Sequence, residues 1–194
     1  MKNENVLCVT ISQMKTFFDM SKEYWGMTST NIINDMKYSF IRREIAETNF
    51  DQKQLIPYAL IFNSQGEILS YQRCGSEKRL LGIHSIGFGG HINDQDKESS
   101  LFETLTNGLK RELWEEIGID VSPNQMELIG MINEERSEVG HCHTGIVFQI
   151  TLPINTKCHF NTEIGIPSWI SSNEIDRYRF ELWSHLALQL IAIS

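Results

Sequence analysis

The sequence of 194 residues predicts an α/β (α+β) domain in which helices cover both faces of a mixed β-sheet. Three observations lead to this fold class. Short apolar or alternating runs typical of strands recur from residue 57 onward, a long amphipathic helix is predicted between Ser100 and Gly118, and a second helix is predicted at the carboxyl-terminal end. We expect one main domain over residues 55–194, with residues 1–54 as an amino-terminal extension packed on it.

The first elements are a strand, a helix and a hairpin. The run VLCVTI predicts a short strand, and Ser12 is expected to cap a helix through SQMKTFFDM. The runs YALIFN and EILSYQR flank the turn-forming Ser64-Gln65-Gly66, which predicts a β-hairpin. GIHSIGFGGHI then predicts a glycine-rich strand, where another backbone or a ligand can come close.

The long helix is predicted to begin near Ser99 or Ser100 and to end at Gly118, because glycine is the usual residue just past a helix end. Its buried stripe is expected to consist of apolar residues at helical spacing, namely Leu101, Phe102, Leu105, Leu109, Leu113 and Ile117. Glu112, Glu115 and Glu116 crowd one edge beside that stripe. Like charges at these spacings cost about 0.2–0.5 kcal/mol per pair, so the pattern favours a bound divalent cation.

Two further strands and a last helix complete the predicted domain. MELIGMIN and HTGIVFQITL are the strand-like runs, and the helix is predicted through NEIDRYRFELWSHLALQLIAI. Ser171 followed by Glu174 fits a capping box for this helix.

Composition excludes several classes of partner. The formal net charge of -8 argues against binding a nucleic acid polymer, because that affinity comes mostly from Lys and Arg. No apolar run approaches the roughly 20 residues of a membrane span, and the amino terminus lacks a signal-peptide pattern, so we expect no membrane association and a cytoplasmic location. The four cysteines form no CxxC pair, which favours reduced thiols.

One stretch of this helix consists of Glu103 and, after seven further residues, the run Arg111-Glu112-Leu113-Trp114-Glu115-Glu116-Ile117-Gly118-Ile119. This stretch resembles the box of the Nudix hydrolase family. The family pattern is G, five residues, E, seven residues, R-E-U-x-E-E-x-G-U, where U is a bulky aliphatic residue. Lys97 stands where the pattern has its glycine, and the nearest suitable glycine is Gly90. We interpret HINDQDKESS as an insertion between the glycine-rich strand and the helix. The GGHIN start resembles a subgroup of predicted phosphohydrolases, and the likeness covers roughly residues 55–194.

This resemblance implies an α/β/α sandwich around a mixed sheet and the hydrolysis of a nucleoside diphosphate linked to another moiety. It also implies Mg²⁺ or Mn²⁺, which favour carboxylate oxygens. By the resemblance, the metal ligands are Glu112, Glu115, Glu116 and a backbone carbonyl of Gly89 or Gly90. Arg111 is expected to orient Glu115, four residues further along the helix, and Glu103 is expected to have a supporting role near the first turn.

The resemblance also implies a base that activates water. Glu163, six residues before Trp169, is one candidate, and a glutamate of the box is the other. Glu163 is equally well interpreted as a solvated loop carboxylate. Arg73, His91 and His143 are predicted to contact a small-molecule phosphate substrate, although an ordinary surface cation and buried, hydrogen-bonded histidines explain the same residues. We expect a homodimer, as is common among such proteins.

Two alternatives share the fold. Isopentenyl-diphosphate isomerase needs a catalytic cysteine near the glycine-rich strand, and GIHSIGFGGHI contains none. A module that senses a nucleotide or metabolite without hydrolysis would usually lose box glutamates, whereas this chain keeps them. The sequence therefore favours a hydrolase over a sensor.

Overall fold

The computed structural model describes residues 4–27, 29–73, 82–162 and 164–192. In these ranges the strands are β1 Asn5–Thr10, β2 Tyr24–Gly26, β3 Ser39–Arg42, β4 Gln52–Asn63, β5 Ile68–Arg73, β6 His84–Ser85, β7 Gly87–Phe88, β8 Glu127–Ile132, β9 His143–Leu152 and β10 Ile164–Ile170. The α-helices are α1 Ile11–Phe17, α2 Thr30–Asp35, α3 Arg43–Ala46, α4 Leu101–Ile117, α5 Glu138–Cys142 and α6 Leu182–Ile191. The predicted glycine-rich strand is thus two short strands, β6 and β7.

The sheet is mixed and has β4 near its centre, in the order β10-β5-β4-β9-β8-β2. β4 runs parallel to β9 from the pair Gln54 and His143 to the pair Asn63 and Leu152. It runs antiparallel to β1, β5 and β7, so different partners follow one another along its second edge. The predicted hairpin is confirmed: β4 and β5 pair at Phe62 and Ile68, and Gly66 turns the chain with a φ of 79°.

One long helix covers each face of this sheet. The buried stripe of α4 packs with Leu55, Ala59 and Ile61 of β4, and α6 packs with Leu60 and Val147 on the opposite face. All six predicted stripe residues belong to the core, although Phe102 is only partly buried. The predicted architecture, helices on both faces of a mixed sheet, is confirmed. Over the described ranges, no helix has both the length and the apolar character needed to cross a membrane.

Reciprocal hydrogen bonds set the start of α4. The Ser100 hydroxyl accepts from the backbone N–H of Glu103 at 3.2 Å, and the Glu103 carboxylate accepts from the Ser100 N–H at 3.1 Å. At the other end Gly118 adopts a left-handed φ of 66°. The predicted limits of this helix are therefore confirmed.

The predicted cap of the first helix is wrong. The hydroxyl of Thr10 caps α1 by accepting from Gln13 N–H at 3.3 Å, and Ser12 lies inside the helix instead. Thr10 takes this position because it is the last residue of β1 and still has an extended backbone.

The last helix is also shorter than predicted. Ser171 and Glu174 do interact, with their side chains 2.7 Å apart, but they begin a 3-10 helix over Ser172–Arg177. The α-helix proper, α6, starts at Leu182. There the Glu181 carboxylate accepts from the backbone N–H groups of Trp183 at 2.7 Å and Ser184 at 2.9 Å. A second cap therefore divides the stretch into two helices.

The amino-terminal residues extend the central sheet. β1 pairs with β4, from Cys8 opposite Gln54 to Thr10 opposite Gln52, and β3 pairs with the outer edge of β1. The Leu7 N–H also donates to the carbonyl of Ile92 at 2.9 Å, in the loop that leads to α4. We therefore propose that residues 1–54 are an extension of the domain sheet that also contacts the inserted loop.

Candidate active site

Two glycines after β7 bring the backbone against α4. Gly89 has a φ of 140°, and a Cβ atom there would lie 2.0 Å from the carbonyl oxygen of Pro57 on β4. Its N–H donates to the Glu116 carboxylate at 3.1 Å. At Gly90 a Cβ atom would lie 2.6 Å from Oε2 of Glu112. Gly89 therefore requires glycine for its backbone and for its approach to β4, whereas a side chain at Gly90 would displace the Glu112 carboxylate.

The acidic edge of α4 is tied to one guanidinium group. Nη1 of Arg111 lies 2.7 Å from Oε1 of Glu112 and 3.4 Å from Oε2 of Glu115. The Glu112 side chain is 16% exposed and that of Glu115 is 57% exposed, so only Glu112 is substantially desolvated. Glu115 reaches into solvent at the rim, whereas Glu112 and Glu116 face the glycine turn.

Of the contacts that the Arg111 side chain makes, the predicted one with Glu115 has the longest distance. Nε and Nη2 of Arg111 donate to the two carboxylate oxygens of Asp96 at 2.9 and 2.8 Å, and Nη2 also donates to the carbonyl of His91 at 2.9 Å. Asp96 is buried and lies in HINDQDKESS, the stretch interpreted from the sequence as an insertion. Sequence reasoning missed Asp96, although its position six residues after Gly90 matches the pattern spacing between glycine and acidic residue.

Burial shapes the charges of this site. It raises the pKa of Glu112, while the neighbouring Arg111 cation opposes that shift. The hydrogen bond with Asp96 raises the pKa of Arg111, so this side chain is a permanent cation. Glu112 is thus a carboxylate that has lost much of its water, and a cation on its open side would stabilise its charged form.

The two predicted substrate-binding histidines contact each other. Nε2 of His91 lies 3.2 Å from Nε2 of His143, and Nδ1 of His143 lies 2.8 Å from the carbonyl oxygen of Val139. Burial lowers the pKa of His91 to about 3 and also lowers that of His143, so both rings are neutral at pH 7. Because a carbonyl only accepts, Nδ1 of His143 carries the proton, and the N–H of His91 donates to His143.

The other predicted residues lie apart from this cluster. Glu103 forms the capping box of α4 together with Ser100. Glu163 lies outside the described residues, as does the side chain of Arg73, the last residue of β5. Asn161, two residues before Glu163, donates its backbone N–H to the carbonyl of Glu116 at 2.9 Å.

The donor set suits a hard divalent cation. Glu112, Glu115 and Glu116 could supply carboxylate oxygens, and the turn at Gly90 could supply a backbone carbonyl, which are the ligands Mg²⁺ and Mn²⁺ favour. Among the residues in the described ranges, no three His, Cys, Asp or Glu side chains already converge as a metal-binding group. The reason is geometric: Arg111 draws Glu112 and Glu115 to itself, while Glu116 is bonded to Gly89.

An acidic helix facing a glycine turn, on a mixed sheet with helices on both faces, is the arrangement expected of a Nudix domain. The NUDIX domain model matches residues 53–189, more than half of the chain. The chain therefore belongs to the NUDIX domain family.

Similar proteins agree with this assignment. Protein YmaB of Bacillus subtilis (strain 168) is 33% identical over 162 residues, which cover 79% of this chain and 78% of that protein. The crystal structure of Tm1382 superposes with a TM-score of 0.77 at 23% identity and covers 97% of this chain and 98% of its own. A Francisella tularensis structure, a bifunctional NMN adenylyltransferase/ADP ribose pyrophosphatase complexed with AMP and a Mn ion, has a TM-score of 0.54 at 16% identity. It covers 72% of this chain and 41% of its own.

Proposed function

We propose that the protein hydrolyses a phosphoanhydride bond in a nucleoside diphosphate linked to another moiety, and that the reaction depends on Mg²⁺ or Mn²⁺. The observation that carries this proposal is the partly buried carboxylate of Glu112, 16% exposed and in contact with the glycine turn. A desolvated carboxylate of this kind, beside Glu116 and an accessible backbone, is where a divalent cation would be stabilised most.

In this proposal Glu112, Glu115 and Glu116 hold the metal together with the Gly90 carbonyl. When bound, the cation neutralises charge on the diphosphate and activates water for attack on phosphorus. The N–H of Gly89 orients Glu116 through the 3.1 Å hydrogen bond. Glu115, at the solvent rim, has the freest side chain of the three.

Proton transfer from the attacking water is assigned to Glu163 or to Glu116. Support for Glu163 comes from its chain neighbour Asn161, whose N–H is bonded to the Glu116 carbonyl at 2.9 Å. The water's oxygen forms the new bond to phosphorus, the anhydride P–O bond breaks, and the base accepts the released proton. Glu163→Gln tests the choice. If Glu163 is the base, this variant loses turnover and keeps the wild-type Mn²⁺ affinity, whereas full turnover assigns the proton transfer to Glu116.

The substrate-binding residues are proposed to be Arg73, His91 and His143. Both histidines are neutral at pH 7, so they bring no positive charge. In this proposal the N–H of His91 turns from His143 to a substrate oxygen, and Nε2 of His143 is then available only as an acceptor. With a net charge of -8, the chain offers little general attraction to a phosphate compound. The metal ion is therefore expected to supply much of the charge that binds the diphosphate.

A substrate screen tests the proposal. The panel contains ADP-ribose, chosen because the Francisella neighbour is an ADP ribose pyrophosphatase, together with sugar nucleotides, dinucleoside polyphosphates, oxidised nucleotides and coenzymes. Each compound is incubated with Mg²⁺, Mn²⁺ or EDTA, and the products are identified by mass spectrometry. We expect two phosphate-containing products from at least one compound, with metal only.

Two results would contradict the proposal. Turnover that persists in EDTA would remove the metal from the mechanism. Binding in a calorimetric titration, with no product after prolonged incubation with Mn²⁺, would identify a sensing module instead.

A further inference from the structure

We propose that Asp96 is the positioning residue for Arg111 and that Gly90 and Asp96, not Glu103, form the first part of the box in this chain. The insertion then covers Lys97 to Glu103, the entry to α4 and its first turn. This inference rests on the proposed function, in which Arg111 orients the carboxylates of α4. When the box pattern is aligned with Glu103 as its acidic residue, Asp96 falls outside the fixed positions of the pattern.

The contact between Asp96 and Arg111 is two-pronged and buried. Nε and Nη2 of Arg111 lie 2.9 and 2.8 Å from the two oxygens of Asp96, a parallel fork of charge-assisted hydrogen bonds. The Asp96 side chain is only 5% exposed. A fork with both oxygens engaged fixes the plane of the guanidinium group, whereas the 3.4 Å contact with Glu115 does not.

Asp96 is itself placed by its surroundings. Its Oδ2 accepts from the Asn93 N–H at 2.9 Å, and its carbonyl accepts from the Asn107 amide of α4 at 3.2 Å. At Gly108 of α4 a Cβ atom would lie 2.2 Å from Cδ1 of Ile92 and 3.0 Å from Oδ2 of Asp96. A glycine in the middle of α4, costly for a helix, therefore provides the space that the loop occupies.

The amino-terminal strand clamps the same loop from its other side. Leu7 N–H donates to the Ile92 carbonyl at 2.9 Å, and Val6 forms an isolated β-bridge with Asn93. The Asn5 amide donates to the Asp94 carboxylate at 3.0 Å. The loop is thus held between β1 and α4, which makes it a rigid support for Asp96.

The spacing along the chain agrees with this geometry. Asp96 follows Gly90 by six positions, as the pattern requires of its acidic residue, while Arg111 comes seven positions later than the pattern expects. Glu103 has the pattern's distance to Arg111, but its carboxylate accepts from Ser99 and Ser100 at the start of α4. The seven additional residues are therefore Lys97 to Glu103, and they form the entry and first turn of the helix.

This arrangement predicts how Asp96 affects the site. Nη1 of Arg111, the nitrogen outside the fork, is the one that contacts Glu112 and Glu115. Without the fork, only the 2.9 Å bond from Nη2 to the His91 carbonyl would hold the guanidinium group from this side, and one bond does not fix its plane. Both carboxylates would then lose their fixed orientation. Partners that orient metal ligands are typically worth 10- to 100-fold in metal affinity or activity.

The experiment compares Asp96→Asn with Asp96→Glu and with Asp94→Asn. Asp94→Asn is the matched control, because it removes the same charge at an exposed residue of the same short 3-10 helix, Asp94–Asp96, and keeps an oxygen that can accept from the Asn5 amide. Two quantities are measured on the full chain: solvent exchange of the Arg111 Nε–H by NMR without metal, and the Mn²⁺ dissociation constant by electron paramagnetic resonance. For Asp96→Asn we expect fast exchange and Mn²⁺ binding weakened about 10- to 100-fold. Asp96→Glu should stay within about threefold, and Asp94→Asn should match the wild type.

A slowly exchanging Arg111 Nε–H in Asp96→Asn, with wild-type Mn²⁺ affinity, would overturn the inference. So would equal losses in Asp96→Asn and Asp94→Asn, since that would indicate a general charge effect. If Asp96→Asn does not fold, Arg111→Lys replaces it, because lysine keeps the charge but loses the fork. The same loss of Mn²⁺ affinity is then expected, and unchanged affinity contradicts the inference. If the wild type hydrolyses nothing, the proposed function fails, while the Arg111 exchange rate still decides the role of Asp96.

Discussion

A methyl group at Gly90 is the smallest change that should displace a proposed metal ligand. A Cβ atom there would lie 2.6 Å from Oε2, 2.7 Å from Cδ and 2.8 Å from Oε1 of Glu112, whereas ordinary contacts begin at 3.4 Å. The carboxylate must therefore move by about 0.8 Å, since a packed site does not absorb such an overlap. A misplacement of about 1 Å costs on the order of 100-fold in rate. Gly90 does not have a positive φ, so alanine fits its backbone and the fold should remain intact.

The assay is the Mn²⁺-dependent rate with the panel compound that the wild type hydrolyses fastest, together with the Mn²⁺ dissociation constant. Gly26→Ala is the matched control, because a Cβ atom at this glycine of β2 would meet nothing within 4 Å. We expect Gly90→Ala to lose on the order of 100-fold in kcat and Gly26→Ala to keep the wild-type value. Wild-type kcat and Mn²⁺ affinity in Gly90→Ala would refute the placement of Glu112 at the metal.

Two further predictions concern stability. Glu134 is buried and accepts from the N–H groups of Arg136 at 2.6 Å and Ser137 at 3.0 Å, so Glu134→Gln should lower the free energy of unfolding in urea by about 1.5–3 kcal/mol. The exposed Glu138→Gln should change it by less than about 0.5 kcal/mol, and equal losses would contradict the account. Burial lowers the pKa of His143 in the folded protein. As the pH falls below about 6.5, the unfolded chain therefore binds a proton at this residue more readily than the folded chain does, and the folded state loses stability. His143→Gln should flatten this acid-side slope, and an unchanged slope would show that His143 does not cause it.

Local signals predicted α4 well. Ser100 and Glu103 cap the helix through contacts three residues apart, and Gly118 ends it through its own backbone conformation. Such short-range chemistry can be read from neighbouring residues. The same kind of signal was incomplete in the last helix, because a capping pair such as Ser171 and Glu174 can begin either an α-helix or a 3-10 turn.

Contacts between distant residues were not predictable in this way. The rule of four-residue spacing pairs Arg111 with Glu115, but it does not show that the loop after the glycine turn folds back and places Asp96 closer to Arg111. His91 and His143 were each predicted to contact substrate. Their mutual contact joins residues 52 positions apart, and it depends on the fold, in which α5 and the glycine turn meet near the start of β9.

The most direct test of the account is the Mn²⁺-dependent turnover of Glu116→Gln beside the wild type. The amide keeps the size of the side chain and can still accept from Gly89 N–H, so the fold and its unfolding temperature should be preserved. Since glutamine lacks the charge that is proposed to hold the metal, we expect a loss of at least about 100-fold in kcat. Full turnover by a correctly folded Glu116→Gln would contradict the claim that the carboxylates of α4 hold the catalytic metal.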